Sequence, residues 1–278
     1  MNTDIQIADA LQVIRKEAQT LDTVEVYKKC LSCVDYTTLN ATDTLQRGRA
    51  FAEKVNNFSA QYPDAPNVAA ICVYPALVKA VRDVLKVPGV KIAAVGAGFP
   101  AAQTYADVKV QECAEAAAQG ADEIDIVISL CYFLAEDYKT TFDEVAHIKR
   151  ALGKTHLKVI LETGALTLAQ VRTASIGSIE AGADFIKTST GKLEPAATPE
   201  AAIVMCSVIK EYYDKTGKKV GFKPAGGIVT AEDAVLYYAI VRHILGEAWL
   251  TPTFFRIGAS RLANNLLSKI TGKTEQYF

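Results

Sequence analysis

Ala183-Asp184-Phe185-Ile186-Lys187-Thr188-Ser189-Thr190-Gly191-Lys192 and Val220-Gly221-Phe222-Lys223-Pro224-Ala225-Gly226-Gly227 share one plan: a short apolar run, a lysine near its end, and a glycine-containing loop after it. Lysine is among the residues least often buried, so packing alone does not explain one at the inner end of a covered strand. Both positions read as chemistry placed where a strand stops.

Outward from these two, six more short segments have the same character: around Val34, and at 68–73, 92–95, 124–128, 157–161 and 254–257, beside 185–188 and 220–222 themselves. Most are nearly continuous apolar runs, the mark of parallel strands covered on both faces. Amphipathic stretches lie between them at 106–119, 142–152, 168–181, 201–213 and 231–245. Thr198-Pro199-Glu200 sets a capping hydroxyl before proline at a first helical position, and Thr230-Ala231-Glu232-Asp233 sets one before two acids that suit the helix dipole. Gly120, Gly153, Gly182 and Gly246 fall near expected helix ends. Ahead of the first strand, Ile5, Ala8, Leu11, Ile14, Ala18, Leu21 and Val24 recur at helical spacing over 4–31, with Asp22 as break and cap.

Eight strands alternating with helices over about 250 residues predict a (β/α)8 TIM barrel, whereas a doubly wound sheet normally uses fewer strands. The expectation is α/β architecture: one barrel domain over 1–278, with 1–31 as an N-terminal helical extension. The loop-like stretch 59–67, with two prolines, is too short to separate domains, and no internal repeat or low-complexity segment stands out.

With half of its 278 residues hydrophobic, the chain can bury a sizeable core. A net charge of −1 gives no electrostatic case for nucleic acid or an anionic membrane, so any anion site must be local. Met1-Asn2-Thr3-Asp4-Ile5-Gln6 lacks a basic start and apolar run, no apolar stretch nears the roughly 18 residues of a membrane span, and a cytoplasmic protein is expected. The six cysteines are scattered and read as reduced thiols. Cys30-Leu31-Ser32-Cys33 has metal-like spacing, but no second pair follows, so it reads as a helix end running into a strand and no metal is expected.

In such a barrel Asp125, Lys187 and Lys223 stand toward the C-terminal ends of strands four, six and seven, the face where active sites form. Alternation along a strand turns Phe185 inward with Lys187 and sends Ile186 to the helices; it also lets Lys223 face inward above Gly221. An ordinary lysine, with a pKa of about 10.4, is almost wholly protonated near neutrality, whereas burial beside a second ammonium favours the neutral amine. With a carboxylate to pass protons, the set suits Schiff-base chemistry on a carbonyl substrate. Singly, a strand-end lysine also suits snorkelling, and any acid of Asp122-Glu123-Ile124-Asp125 suits a solvated turn; joint placement on one face makes the case. Thr190-Gly191-Lys192, Gly226-Gly227 and Gly258-Ala259-Ser260 follow strands six, seven and eight, where backbone N–H groups can approach a phosphate, with Lys192 or Arg261 adding charge.

The residues on which this reading rests resemble the deoxyribose-phosphate aldolases, a class I aldolase family. The resemblance runs through Asp35-Tyr36-Thr37-Thr38-Leu39, Val73-Tyr74-Pro75, Gly120-Ala121-Asp122-Glu123-Ile124-Asp125, Glu162-Thr163-Gly164, the two lysine motifs, and Arg256-Ile257-Gly258-Ala259-Ser260, in the family's order over nearly all the chain after residue 30. It implies reversible cleavage of 2-deoxy-D-ribose 5-phosphate to D-glyceraldehyde 3-phosphate and acetaldehyde, in carbohydrate degradation. Lys187 would form the imine, Lys223 would lower its pKa, and Asp125 would relay protons with an ordered water, without any cofactor. Asp35 and Cys72 match positions lining the substrate pocket, and Thr190, Gly191, Lys192, Gly226, Gly227, Gly258 and Ser260 match the phosphate side.

The chain departs from the family pattern at Gly98-Phe99-Pro100-Ala101-Ala102, which lacks an asparagine, at Ser129-Leu130-Cys131-Tyr132, and at Arg261, where many members have a second hydroxyl residue. Penultimate Tyr277 has two readings, one that reaches the site, as the C-terminal tyrosine of some members does, and one that belongs to a disordered terminus. Competing readings are another Schiff-base sugar-phosphate aldolase or transaldolase-like enzyme, and a catalytically silent phosphosugar-binding barrel. The expected partners are phosphosugar and aldehyde substrates, without nucleic acid or membrane; a homo-oligomer is left open.

Overall fold

A computed structural model of the chain describes residues 3–278, with side chains from Gln6 onward. Met1 and Asn2, and the Ile5 side chain assigned to the first helical stripe, lie outside the described residues.

Eight parallel strands form the sheet: β1 (Val34–Thr37), β2 (Ala70–Val73), β3 (Lys91–Gly96), β4 (Glu123–Val127), β5 (His156–Ile160), β6 (Phe185–Lys187), β7 (Gly221–Lys223) and β8 (Ile257–Ala259). They pair in sequence order, β1 pairs with β8, and parallel bridges Phe222 to Phe255 and Ala225 to Gly258 join β7 to the β8 segment. The sheet thereby closes into a (β/α)8 barrel.

Two helices, α1 (Thr3–Thr20) and α2 (Val24–Ser32), precede the barrel. Connecting and following the strands are α3 (Leu45–Gln61), α4 (Val78–Arg82), α5 (Ala106–Ala118), α6 (Leu130–Phe133), α7 (Tyr138–Leu152), α8 (Leu168–Glu180), α9 (Pro199–Thr216), α10 (Ala231–Leu245) and α11 (Leu262–Thr271). Helix α1 buries Ile7, Leu11 and Ile14 and lies on α9 and α10, while α2 packs on α10 and α11. Thr198 accepts from Ala201 N at the start of α9, and Thr230 forms a reciprocal capping box with Asp233 at the start of α10. Each cap satisfies an otherwise unpaired N–H, worth about 1 kcal/mol.

Alternation separates two interiors. Ile124, Ile126, Leu157, Val159, Ile186 and Phe222 join the core between sheet and helices, and each such side chain contributes about 1.5–3 kcal/mol when fully buried. The intervening residues Glu123, Asp125, Lys158, Phe185 and Lys187 are buried on the opposite, inner face. Gly221 lies opposite Phe185 in the β6–β7 register, and a Cβ there would come within 2.3 Å of the phenyl ring, so the inward aromatic requires glycine as its neighbour.

Three local expectations shift. The eighth strand is Ile257–Ala259 rather than 254–257; Phe255 is fully buried and makes only an isolated bridge to Phe222, so the continuous ladder begins two residues later. The cap of α2 is Thr23, whose side chain accepts from Val26 N, and Asp22 instead accepts from the Tyr27 hydroxyl. The first residues of the predicted 59–67 loop continue α3 to Gln61. Cys30 lies in the last turn of α2 and Cys33 leads into β1, as the helix-to-strand reading requires; both thiols are free and buried, and burial pushes that of Cys33 up to about 12.

Candidate active site

Lys187 and Lys223 are direct partners in the β6–β7 register, and both point into the barrel. Lys187 Nζ donates to Asp125 Oδ2 at 2.9 Å, and Lys223 Nζ donates to the same oxygen at 2.7 Å. One carboxylate therefore serves two amines. Lys223 has a second acceptor in Asp35 Oδ2, whereas Lys187 has none.

The electrostatics follow from that asymmetry. Burial lowers the Lys187 pKa, the nearby Lys223 ammonium lowers it further, and Asp125 opposes both without cancelling them. For Lys223 burial is outweighed by Asp125 and Asp35, which hold its pKa above the usual lysine range. Asp125 stays well below the usual carboxylate range because Lys158, Lys187 and Lys223 overcome its burial. The arrangement sets an amine whose neutral form is favoured beside an ammonium and a carboxylate whose charged forms are favoured. Asp125 Oδ1 accepts no well-oriented hydrogen bond; Lys158 Nζ lies 3.3 Å from it.

Above Lys187 opens a cleft of about 580 Å³. Thr190, Gly191, Lys192, Gly226, Gly227, Gly258 and Ser260 line it together with Lys187, so seven predicted binding residues meet on one wall system. Gly226 and Gly227 both have positive φ, 85° and 76°, and a Cβ on Gly226 would lie 2.6 Å from that of Ala196; the loop needs glycine on both counts. Thr190 is fixed by Glu162, which accepts from its backbone N at 3.0 Å and its hydroxyl at 2.5 Å. Lys192 Nζ crosses to the β1 side and donates to Leu39 O at 2.6 Å. Arg261 is exposed at the cleft, just ahead of α11, with no ion-pair partner among the described residues.

Asp35 and Cys72 do not line this cleft. Both are fully buried beneath it, Asp35 between Lys223 and Arg256, and Cys72 with Ala70, Ala93 and Val95 inside the barrel. Burial raises the Cys72 thiol above its ordinary value. Phe99 and Tyr74 pack on that inner group edge to face, and Phe99 also meets Ala102, Val127 and Ile160. The segment that departs from the family pattern thus builds an apolar wall.

Tyr277 is not at the site. Its hydroxyl donates to Lys54 O at 2.6 Å and its ring packs edge-on against Phe58 and Tyr62 of α3 and the segment just after it, an apolar seat that draws it away from the barrel mouth. Phe278 lines the cleft instead, 5.1 Å from the Tyr36 ring.

Sequence reasoning missed Lys158, Glu123, Arg256 and Glu162. The signal for Lys158 was present, since it is a lysine inside the run Leu157-Lys158-Val159-Ile160, but it lies in mid-strand rather than at the end. A larger cleft of about 900 Å³ beside α5 and α7 contains Lys109 and Glu144, already paired at 2.9 Å, and Lys187 does not border it.

The family described as DeoC/LacD family aldolase matches residues 29–243. A Caenorhabditis elegans relative is 46% identical over 267 residues, covering 94% of this chain and 87% of that protein. The deoxyribose-phosphate aldolase of Homo sapiens is 40% identical over 269 residues, covering 90% of this chain and 83% of its own. Among solved structures, the tetrameric deoxyribose phosphate aldolase from Aeropyrum pernix superimposes with a TM-score of 0.72 at 25% identity, covering 92% of this chain and 96% of that one.

Proposed function

From the premise that this chain belongs to the DeoC/LacD family of aldolases, and so is a carbon–carbon lyase, we infer that its reaction is the reversible cleavage of 2-deoxy-D-ribose 5-phosphate to D-glyceraldehyde 3-phosphate and acetaldehyde. The observation that carries the reading is a lysine held toward neutrality at the floor of a cleft whose far walls are glycine loops, Lys192 and Arg261.

Neutral Lys187 attacks the C1 aldehyde carbon of the open-chain sugar, and loss of water leaves the protonated imine. That imine draws in the electron pair of the C2–C3 bond as the C3 hydroxyl gives up its proton, releasing glyceraldehyde 3-phosphate and leaving an enamine on Lys187. Protonation of the enamine at C2 and hydrolysis then free acetaldehyde and restore the amine. Asp125 serves the proton transfers, directly or through a water, with Oδ1 free to accept while Oδ2 stays bound to Lys187 and Lys223. Lys223 remains an ammonium throughout and favours the return of Asp125 to its ionised form after each transfer. The phosphate lies against the Gly226-Gly227 and Gly258-Ala259-Ser260 backbones, the usual phosphate side of this fold. Asp35 acts on substrate only through Lys223. The unit that performs this is proposed to be the single barrel of 1–278 with its 1–31 extension, in an oligomer of the kind named for the Aeropyrum pernix protein.

The test is a substrate panel in which released aldehyde phosphate is measured. Deoxyribose 5-phosphate is expected to be cleaved, with ribose 5-phosphate and fructose phosphates turned over far more slowly; preference for a fructose phosphate would replace this reading with another Schiff-base aldolase, and no cleavage with retained binding would leave a silent phosphosugar binder. In the same assay Arg261→Ala should raise KM for the phosphorylated sugar by roughly 3- to 10-fold, the worth of an exposed charge-assisted contact, and leave kcat and the KM for unphosphorylated deoxyribose unchanged. An unchanged KM for the phosphorylated sugar would assign Arg261 to solvent.

A further inference from the structure

Beneath Lys187 the charged side chains inside the barrel close into a ring of alternating sign. Lys223 bridges Asp125 and Asp35. Asp35 Oδ1 accepts from Arg256 at 2.6 Å, and the two terminal nitrogens of Arg256 donate to Glu123 at 3.1 and 2.7 Å. Glu123 accepts from Lys158, which lies 3.3 Å from Asp125 Oδ1 and completes the circuit. Every member is buried, and the Phe185 ring lies 5.7 Å from the Lys158 ammonium and 5.9 Å from the Arg256 guanidinium.

The ring pairs Arg256, Lys223 and Lys158 with Asp35, Asp125 and Glu123, so it is neutral without Lys187. Lys187 hangs from it at Asp125 as a further amine with no countercharge of its own. A buried charge without a partner is costly, so the proton to be given up is that of Lys187. We propose that Arg256, Glu123 and Lys158 are positioning residues which, by completing a neutral ring, select Lys187 rather than Lys158 or Lys223 as the neutral amine. The proposal rests on the Schiff-base reading above.

The surroundings leave few competitors for this effect. Lys187 faces Asp125 from β4, Lys223 from β7 and the Cys72 thiol from β2, and the same interior holds Glu123 from β4, Lys158 from β5, Asp35 from β1 and Arg256 from just before β8. β3 presents Ala93 and Val95 to the buried interior, and the remaining titratable groups of that face, Lys91 on β3 and His156 on β5, are exposed at the first residues of their strands, the end away from Lys187. Glu162, two residues beyond the end of β5, is taken by Thr190.

Removing one ring member unbalances the ring in a known direction. Glu123→Gln leaves it one positive charge in excess, which further disfavours protonated Lys187. Arg256→Gln leaves it one negative charge in excess, which gives Lys187 a countercharge. The measurement is the rate at which acetaldehyde is trapped on the full-length protein by cyanoborohydride across a pH series, with the adduct mapped by peptide mass spectrometry. The midpoint of the rising acid limb is expected to fall by about one pH unit in Glu123→Gln and to rise by about one in Arg256→Gln, with Arg256→Lys close to wild type. A variant lacking the wild-type near-ultraviolet circular dichroism is to be replaced: Lys158→Gln removes a ring cation and carries the same expected sign as Arg256→Gln. Shifts of the same sign, or no shift, overturn the proposal. An adduct absent from Lys187 in the wild type would overturn the Schiff-base assignment instead, and the two failures are therefore distinct.

Discussion

Lys187→Ala is expected to lower kcat for deoxyribose 5-phosphate cleavage by on the order of 10⁴-fold or more, because it deletes the nucleophile. Neither remaining lysine inside the barrel can replace it. Lys223 is held as an ammonium by two carboxylates, and Lys158 is paired with Glu123 and Asp125. The loss should appear in kcat and kcat/KM together, with the phosphate loops untouched. Stability should move differently. Lys187 is 3% exposed and shares its one carboxylate, so Lys187→Met exchanges an uncompensated amine for a side chain of similar length. Its Tm should equal or exceed that of the wild type. An inactive Lys187→Met protein with a sharply lowered Tm would make Lys187 a structural cation, contrary to this account.

Lys223→Met should do the reverse. It strips Asp35 and Asp125 of the ammonium both share, and removing one partner from a buried ion pair costs about 3–5 kcal/mol because the other charge is left uncompensated. The Tm should therefore drop by roughly 10 °C. Lys187 then becomes the nearest cation for Asp125, its protonated form is favoured, and kcat near neutrality should fall by about 10²–10³-fold. The sign of the pH dependence distinguishes this from a bad fold. The wild-type Lys187 pKa is depressed, so the neutral amine is gained as pH rises through that depressed value. In the variant the same rise should be displaced to higher pH, with partial recovery of rate in alkaline buffer. A rate loss equal at every pH would mean that Lys223 acts on something other than the protonation of Lys187.

The barrel was legible because parallel strands covered on both faces must be apolar almost throughout, and seven of the eight runs have that character at or within a few residues of the observed strands. β8 was misplaced because its three residues, Ile257-Gly258-Ala259, carry less apolar character than the Phe254-Phe255 pair before them, of which Phe255 is fully buried and bridged to Phe222. Lys187 and Lys223 stood out because strand-end lysines violate the packing expectation. Asp125 could not be separated from Asp122 and Glu123 by sequence, since which of neighbouring residues faces inward depends on a one-residue register. In the fold, Asp122 accepts from Arg82 and from Ile92 N outside the barrel, whereas Glu123 and Asp125 share the inner face.

The ring was invisible for a stronger reason. Asp35 and Arg256 are 221 residues apart, and their contact exists only because β1 closes the sheet against β8. The place of Tyr277 was not legible because the aromatic seat on Phe58 and Tyr62 depends on how the end of α3 packs, which a tail motif does not carry.

The most direct test of the central claim is peptide mass spectrometry of the wild-type protein after incubation with acetaldehyde and borohydride, with Lys187→Ala and Lys223→Ala proteins beside it. This account predicts a two-carbon adduct confined to Lys187, absent from Lys187→Ala and reduced in Lys223→Ala at neutral pH. An adduct spread over surface lysines, or none, would contradict it.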